Sequence, residues 1–215
     1  RAVSLNGVSQ GSAYTPPTED GAYTIDVTDT DEAGAVATAS LTFTLDTEPP
    51  DAPTVELAND AGTQDDDGLT NDATLSLSPA PDGGEREYVV NGGSPTREYS
   101  PPTESGDYTV SVSNVDAAGN VSEATAVTFT LDTTLDTPTI TLDEDTGPDA
   151  DDNNVTTNPS LTLSDPAADV TRVVTVNGVE QGADYTPPSD DGEYTVEVTD
   201  TDEAGNVATA TLAFT

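Results

Sequence analysis

The 215-residue chain contains no cysteine, histidine, methionine, tryptophan or lysine, and its only basic side chains are four arginines. Without cysteine no disulfide stabilises the fold, and without histidine or cysteine a typical zinc or copper site is excluded. The commonest catalytic triads are excluded for the same reason. A paired-carboxylate glycosidase is formally possible, but the acids sit on repeated loops rather than in one cleft. We therefore expect that the chain is not an enzyme.

Negative charge is in large excess, since 42 acidic residues give a formal net charge of −38. Contact with nucleic-acid phosphates needs a basic face, so nucleic acid is excluded as a partner. An anionic membrane surface would repel the chain, and the sequence shows no transmembrane run, signal peptide or targeting motif. We expect no direct membrane insertion, and we expect a cation to neutralise the carboxylates.

Large apolar residues are few: Leu, Ile, Val and Phe make up less than a fifth of the chain, which at this charge is typical of disorder. The order of the residues argues against disorder. Tyr194, Val196 and Val198 alternate with polar residues, and the same alternation returns along residues 207–214. This pattern predicts two β-strands joined by the acidic loop 200–206.

The strand pair recurs along the chain, at residues 23–44, 108–130 and 194–215. A Tyr-Thr/Ser-Pro-Pro motif begins at Tyr14, Tyr99 and Tyr185, with spacings of 85 and 86 residues. A unit of that length, built from short strands with turn signals, predicts a β-sandwich domain. We therefore expect an all-β chain of tandem immunoglobulin-like β-sandwiches in single file.

The period divides the chain into three parts, which we name repeat 1 (1–45), repeat 2 (46–131) and repeat 3 (132–215). We expect repeat 1 to be the C-terminal part of a sandwich without its opening strands, because Arg1 aligns with Arg172 inside repeat 3. The missing strands are expected in an upstream part of the same polypeptide, or from a neighbouring molecule in a fibre. Repeats 2 and 3 begin with proline-containing linkers, at 46–53 and 132–138.

Local signals add detail to the predicted sandwich. Asn-Gly pairs predict tight turns with positive φ at Asn6, Asn91 and Asn177. A tyrosine that follows glycine by two residues is either the tyrosine corner of an immunoglobulin-like sandwich or a plain core aromatic, at Tyr23, Tyr108 and Tyr194. One extra residue around 123–125 predicts a β-bulge in the last strand of repeat 2.

Three motifs recur in order at this period. In repeat 2 they are Asp60-Ala-Gly62 with Asp66-Asp67 and Thr70-Asn71, then Asp116-Ala-Ala-Gly-Asn120, then Leu131-Asp132-Thr133 followed by Pro138. They resemble the bacterial immunoglobulin-like repeats of large surface adhesins, which form the extender regions of biofilm and ice- or host-binding proteins. Repeat 1 departs from the pattern at Ala35, where the other repeats have Asn120 and Asn206.

The resemblance implies a structural role, a secreted, cell-surface location, export by type I secretion in many members, and bound calcium. The residues themselves favour calcium, because Ca²⁺ takes about six to eight oxygen ligands from carboxylates, amides and backbone carbonyls. A solvated acidic loop is the alternative, but the loops recur at fixed positions. We expect calcium to bind less tightly at the junction between repeats 1 and 2, because Asn114 replaces the aspartate found at Asp200 in repeat 3.

We therefore expect a calcium site at each junction between repeats. Between repeats 2 and 3 the expected ligands are Asp65, Asp66, Asp67, Asp132, Asp136, Asp200, Asp202 and Asn206. The corresponding residues elsewhere are Asp46, Asp51, Asp116, Asn120, Asp151 and Asp152.

The expected function is that of a structural extender, or stalk, in a large bacterial adhesin. Its partners are neighbouring repeats of the same polypeptide and, in a fibre, neighbouring molecules. A ligand-binding adhesive module is one alternative, although seven tyrosines and three phenylalanines offer few platforms for a ligand. An acidic surface-layer or fibre protein of a high-salt organism is another, because acidity without lysine aids solubility there.

Overall fold

The protein is built from β-strands joined by turns and loops. The computed structural model describes residues 1–60, 62, 64, 67–147 and 153–215, and every regular element in these ranges is a strand. The prediction of an all-β chain is therefore confirmed. Within the same ranges no helix is available to span a membrane.

The chain divides into two compact units. The first comprises residues 1–55, 77–99 and 111–126, and the second comprises residues 56–76, 100–110 and 127–215. Repeat 1 belongs to the first unit and repeat 3 to the second, whereas repeat 2 contributes segments to both. Each unit consequently contains one of the two predicted linkers together with residues from the repeats on either side of it.

Repeats 1 and 3 contain the same four-stranded antiparallel sheet, with strand orders β2-β1-β3-β4 and β14-β13-β15-β16. In repeat 1 the strands are β1 (Ala2–Leu5), β2 (Val8–Gly11), β3 (Gly21–Thr30) and β4 (Val36–Leu45). In repeat 3 they are β13 (Thr171–Val176), β14 (Val179–Gly182), β15 (Tyr194–Thr201) and β16 (Val207–Phe214). The registers also agree, since Val3 faces Val27 as Val174 faces Val198.

The larger sheet of repeat 2 has the order β6-β10-β9-β8, and β6 runs parallel to β10. Its strands are β6 (Leu69–Thr70), β8 (Glu85–Val90), β9 (Gly106–Val115) and β10 (Thr125–Leu131). After a single bridge between Val115 and Val121, the last strand resumes only at Thr125. This irregularity lies where the extra residue predicts a β-bulge.

A short second sheet covers one face of the larger sheet in repeat 3. It pairs β11 (Ile140–Leu142) with β12 (Leu161–Leu163), and repeat 2 has its counterpart in β5 (Val55–Leu57) and β7 (Leu75–Leu77). The apolar residues of β11 and β12 pack on a core formed by Val174, Val196, Val198 and Phe214. Residues 1–45, all of which are described, form no such second sheet, and Leu41 is 61% exposed.

Turn chemistry agrees with the sequence. The predicted Asn-Gly turns have positive φ, at 49° for Asn6 and 48° for both Asn91 and Asn177. The three tyrosines form tyrosine corners, because each hydroxyl donates a hydrogen bond of 2.7–2.9 Å to the carbonyl four residues earlier. Each ring also packs on a phenylalanine of the last strand, namely Phe43, Phe129 or Phe214.

Candidate functional site

An acidic groove of ≈ 700 Å³ lies along the linker that enters repeat 3, and we call it the linker groove. The linker 132–138, the connection from β12 to β13, and the end of β15 form its walls. Six aspartates line it: Asp132, Asp136, Asp165, Asp169, Asp200 and Asp202. The structure thus brings together four of the predicted ligands and adds Asp165 and Asp169, which belong to none of the recurring motifs.

Asp200 is held by an arginine at the wall of this groove. Its two carboxylate oxygens accept hydrogen bonds of 2.7 Å from Nε and Nη2 of Arg172, and both side chains are 5% exposed. Arg172 also donates from Nη1 to the carbonyl of Ser164, which follows β12. The hydrogen bond to Asp200 raises the pKa of Arg172. The arginine therefore neutralises one of the six carboxylates and ties the two sheets together.

Asp202 organises the loop after β15 and, through Asn206, the linker. Its Oδ1 accepts from the backbone N–H of Asn206 at 2.8 Å, and its Oδ2 accepts from the Asn206 side-chain amide at 2.9 Å. The same amide nitrogen donates to the backbone carbonyl of Asp132 at 2.9 Å. We call this set of contacts the asparagine bridge of repeat 3.

The linker before repeat 2 has an equivalent bridge. Asn120 Nδ2 donates to Asp116 Oδ2 at 2.9 Å and to the backbone carbonyl of Asp46 at 3.1 Å. Asp116 Oδ1 accepts from the backbone N–H groups of Ala118, Gly119 and Asn120. The hydrogen bond from the Asn120 side chain, helped by these backbone donors, lowers the pKa of Asp116.

Asn114 occupies the position of Asp200 in repeat 2, and it bonds the linker as well as the equivalent arginine, Arg86. Its Nδ2 donates to the backbone carbonyl of Asp51 at 2.9 Å, while its Oδ1 accepts a long bond of 3.4 Å from Arg86. The linker before repeat 2 is thus bonded at two carbonyls. Asn114 is thus a hydrogen-bond donor to the linker and not only the replacement of a carboxylate, a role that the sequence did not indicate.

The remaining predicted ligands are placed as follows. The Asp67 carboxylate accepts from the backbone N–H of Leu69 at 2.8 Å, and that of Asp132 accepts from the N–H and hydroxyl of Thr134, both at 3.0 Å. Asp46 accepts from the N–H of Glu48 at 3.3 Å. Asp65, Asp66, Asp151 and Asp152 lie outside the described residues.

The donors of the linker groove suit calcium by their chemistry, because they are carboxylate, amide and carbonyl oxygens. Their arrangement in the structure is less suited to a metal ion. Across residues 1–60, 62, 64, 67–147 and 153–215, no three carboxylates lie close enough together to hold a metal ion. The carboxylates of Asp200 and Asp202 instead accept hydrogen bonds from protein donors. The described side chains therefore do not form a ready-made calcium cage.

Comparison with protein-family models identifies the family to which most of the chain is similar. A model of the bacterial Ig-like domain matches residues 48–133 and again residues 134–215. A comparison with curated proteins finds no match.

Solved structures with a detectable likeness include a tetra-tandem repeat from the extending region of a large adhesion protein, with 19% identity and a TM-score of 0.29. A Ca²⁺-stabilized adhesin with which an Antarctic bacterium binds ice has 22% identity and a TM-score of 0.33. Extracellular cadherin domains 3–6 of protocadherin gamma B2 have 11% identity and a TM-score of 0.24. Each alignment covers 90% of this chain and 56% of the other, so the chain spans about half their length. Because these TM-scores are low, the functions of those proteins are not evidence for the function of this chain.

Proposed function

Because the chain belongs to the bacterial immunoglobulin-like domain family, and its fold is that of tandem immunoglobulin-like units, we propose that it is a non-enzymatic extender segment of a large bacterial surface adhesin. The observation that carries the proposal is the repetition of one linker contact. In repeats 2 and 3 an asparagine amide bonds the last loop of the repeat to the linker that precedes it. A stalk needs defined angles between its repeats, and a hydrogen-bonded linker restricts those angles.

The proposal includes domain boundaries at 45/46 and 131/132, an extracellular location on the cell surface, and neighbouring repeats as the main partners. Contacts with neighbouring molecules in a fibre are a further part of it. Calcium is the proposed cation. What supports calcium is the charge of −38 and the six aspartates of one groove, of which Arg172 neutralises one. Since no ready-made cage exists among the described residues, the proposed role is to offset repulsion in the linker groove.

Calorimetry and small-angle scattering of the full chain test this function. An extender is expected to have a long maximum dimension, and millimolar CaCl₂ after removal of EDTA is expected to raise the melting temperature. A hundredfold excess of calcium over its Kd corresponds to about 2.7 kcal/mol of added stability. A compact particle would contradict the extender, and melting unchanged by chelation would contradict the calcium.

One observation favours a second candidate function, that of an acidic surface protein from a high-salt organism. The chain has 42 acidic residues, four arginines and no lysine. Melting in molar NaCl separates the two. Monovalent salt screens repulsion between exposed charges without specific binding. Stabilisation by molar NaCl but not by millimolar CaCl₂ would favour the high-salt protein, and the reverse result would favour the calcium-bound extender.

A further inference from the structure

The last loop of repeat 3 is hydrogen-bonded to the linker that precedes this repeat. Asn206 donates one amide hydrogen to the Asp202 carboxylate and the other to the carbonyl of Asp132 in the linker. The acceptor in the linker is a neutral backbone carbonyl. Neither a chelator nor moderate salt removes such a bond, because the attraction does not depend on a free charge or a bound cation.

A second contact joins the same loop of repeat 3 to repeat 2. Gly62, in the loop that follows β5, lies so close to Glu203 that any side chain at position 62 would collide with the Glu203 carbonyl. Its φ of 143° is also one that residues other than glycine rarely adopt. Glycine is thus required here both by the close approach of two backbones and by the conformation.

Burial of the receiving loop agrees with this contact. Ala204, at the centre of the loop 202–206, is 1% exposed, and Asp202 is 5% exposed. The equivalent alanines, Ala118 in repeat 2 and Ala33 in repeat 1, are exposed. The three loops share their sequence pattern and their turn, so the burial of Ala204 comes from its neighbours and not from the loop itself.

From these contacts we propose that the loop 202–206 is a docking surface for the preceding repeat and that it holds repeat 2 without a cation. Its parts are the asparagine bridge to the linker and the close approach of Glu203 and Ala204 to Gly62. The partner that this surface recognises is a neutral backbone, namely a linker carbonyl and the backbone of Gly62 in the preceding repeat. The inference rests on the proposed extender function, but it assigns the rigidity of this junction to protein contacts rather than to calcium.

The absence of native cysteine allows the junction to be measured by paired spin labels in the full chain. Thr128→Cys and Thr211→Cys place labels at exposed positions of β10 and β16, on either side of the junction. Pulsed electron–electron resonance then gives the distribution of distances between them, in EDTA and in CaCl₂. In EDTA we expect a single narrow distribution for the parent chain.

Asn206→Asp is the decisive variant. Aspartate keeps the shape of asparagine but lacks both amide hydrogens that donate here. It also adds a carboxylate, which is a suitable calcium ligand. In EDTA we expect a broadened distribution, with the open junction at least about fivefold more populated, as for the loss of one hydrogen bond. Gly62→Ala is expected to broaden the same distribution by a different route, through the collision with Glu203.

Asn120→Asp is the matched control, since it removes the equivalent bridge before repeat 2 and leaves residues 127–215 unchanged. It is expected to leave the distance between labels 128 and 211 as narrow as in the parent. Slow hydrogen exchange of the β15 amides shows that each variant remains folded. A parent distribution that is broad in EDTA and narrow only in calcium would overturn the proposal, as would a narrow distribution in EDTA for either Asn206→Asp or Gly62→Ala.

The failure of this proposal is distinguishable from that of the proposed function. If calcium raises the melting temperature but the distances of Asn206→Asp in EDTA match those of the parent, the docking surface is wrong and the calcium-bound extender stands. If the variants broaden the distribution and chelation alters neither melting nor length, the docking surface stands and calcium is removed from the function.

Discussion

The same arginine–aspartate pair occurs in repeats 1 and 3 under opposite conditions. Arg1 bonds both oxygens of Asp29 at 3.0 and 2.9 Å, and Arg172 bonds both oxygens of Asp200 at 2.7 Å. The first pair is exposed, with 60% and 48% of its side chains accessible, whereas the second is 5% exposed on both sides. The local sequence and the register are equivalent, and the buried pair is the one that has the linker, the second sheet and the connection after β12 beside it.

The second sheet changes what the pair does. In repeat 3 the carbonyl of Ser164, at the end of β12, accepts a third bond from Arg172, and the sheet β11–β12 excludes water from the valine core beside it. Residues 1–45 supply neither a carbonyl equivalent to that of Ser164 nor a sheet equivalent to β11–β12. In the described residues the pair is exposed in repeat 1 and is part of the inter-sheet connection in repeat 3.

Removal of the arginine is the strongest test of this difference. Arg172→Ala is expected to destabilise repeat 3 by about 3–5 kcal/mol, because it leaves the Asp200 carboxylate buried and without its cation. Arg1→Ala is expected to have little effect on the stability of repeat 1, because an exposed ion pair contributes little. Hydrogen exchange of the β15 and β3 amides measures the two repeats separately. Equal losses in both repeats would show that burial of the pair does not matter.

A smaller effect is expected from the core beneath the pair. Val198 is fully buried under the second sheet, whereas its equivalent Val27 is half-buried. Val198→Ala is expected to cost about 2 kcal/mol, from two buried methyl groups and the cavity they leave. Val27→Ala is expected to cost clearly less, since no facing sheet surrounds it. Similar unfolding free energies for the two variants would mean that repeat 1 has a cover that its own residues do not supply.

The smallest effect concerns the loop acid of repeat 2. Hydrogen bonds from Asn120 lower the pKa of Asp116, so this group stabilises the fold above its unfolded pKa and ceases to do so as the pH falls through its folded pKa. Asn120→Ala introduces the residue that repeat 1 carries at Ala35. It is expected to raise the pKa of Asp116 towards the ordinary value, as measured by carbon-detected NMR titration. An unchanged titration would show that the backbone donors alone are responsible.

Much of the fold follows from local sequence. Alternation of apolar and polar residues predicts the strand pairs, because successive side chains of a strand point to opposite faces. The Asn-Gly turns follow from the tolerance of both residues for positive φ, and the period of about 85 residues follows from repetition. The linker groove was predictable in part, because Asp132 and Asp136 of the linker and Asp200 and Asp202 at the end of β15 were already predicted to lie together.

Only the tertiary structure decided which partner each of these acids and amides has. Asp200 and Asp202 have the same charge and are two residues apart, yet one bonds Arg172 from 28 residues away and the other bonds the nearby Asn206. The amide of Asn206 reaches a linker carbonyl 74 residues earlier in the chain. Composition and spacing identify groups that can donate or accept a hydrogen bond. Whether a carboxylate meets a cation, an arginine or an amide depends on which strands and linkers the packing of the sheets brings beside it.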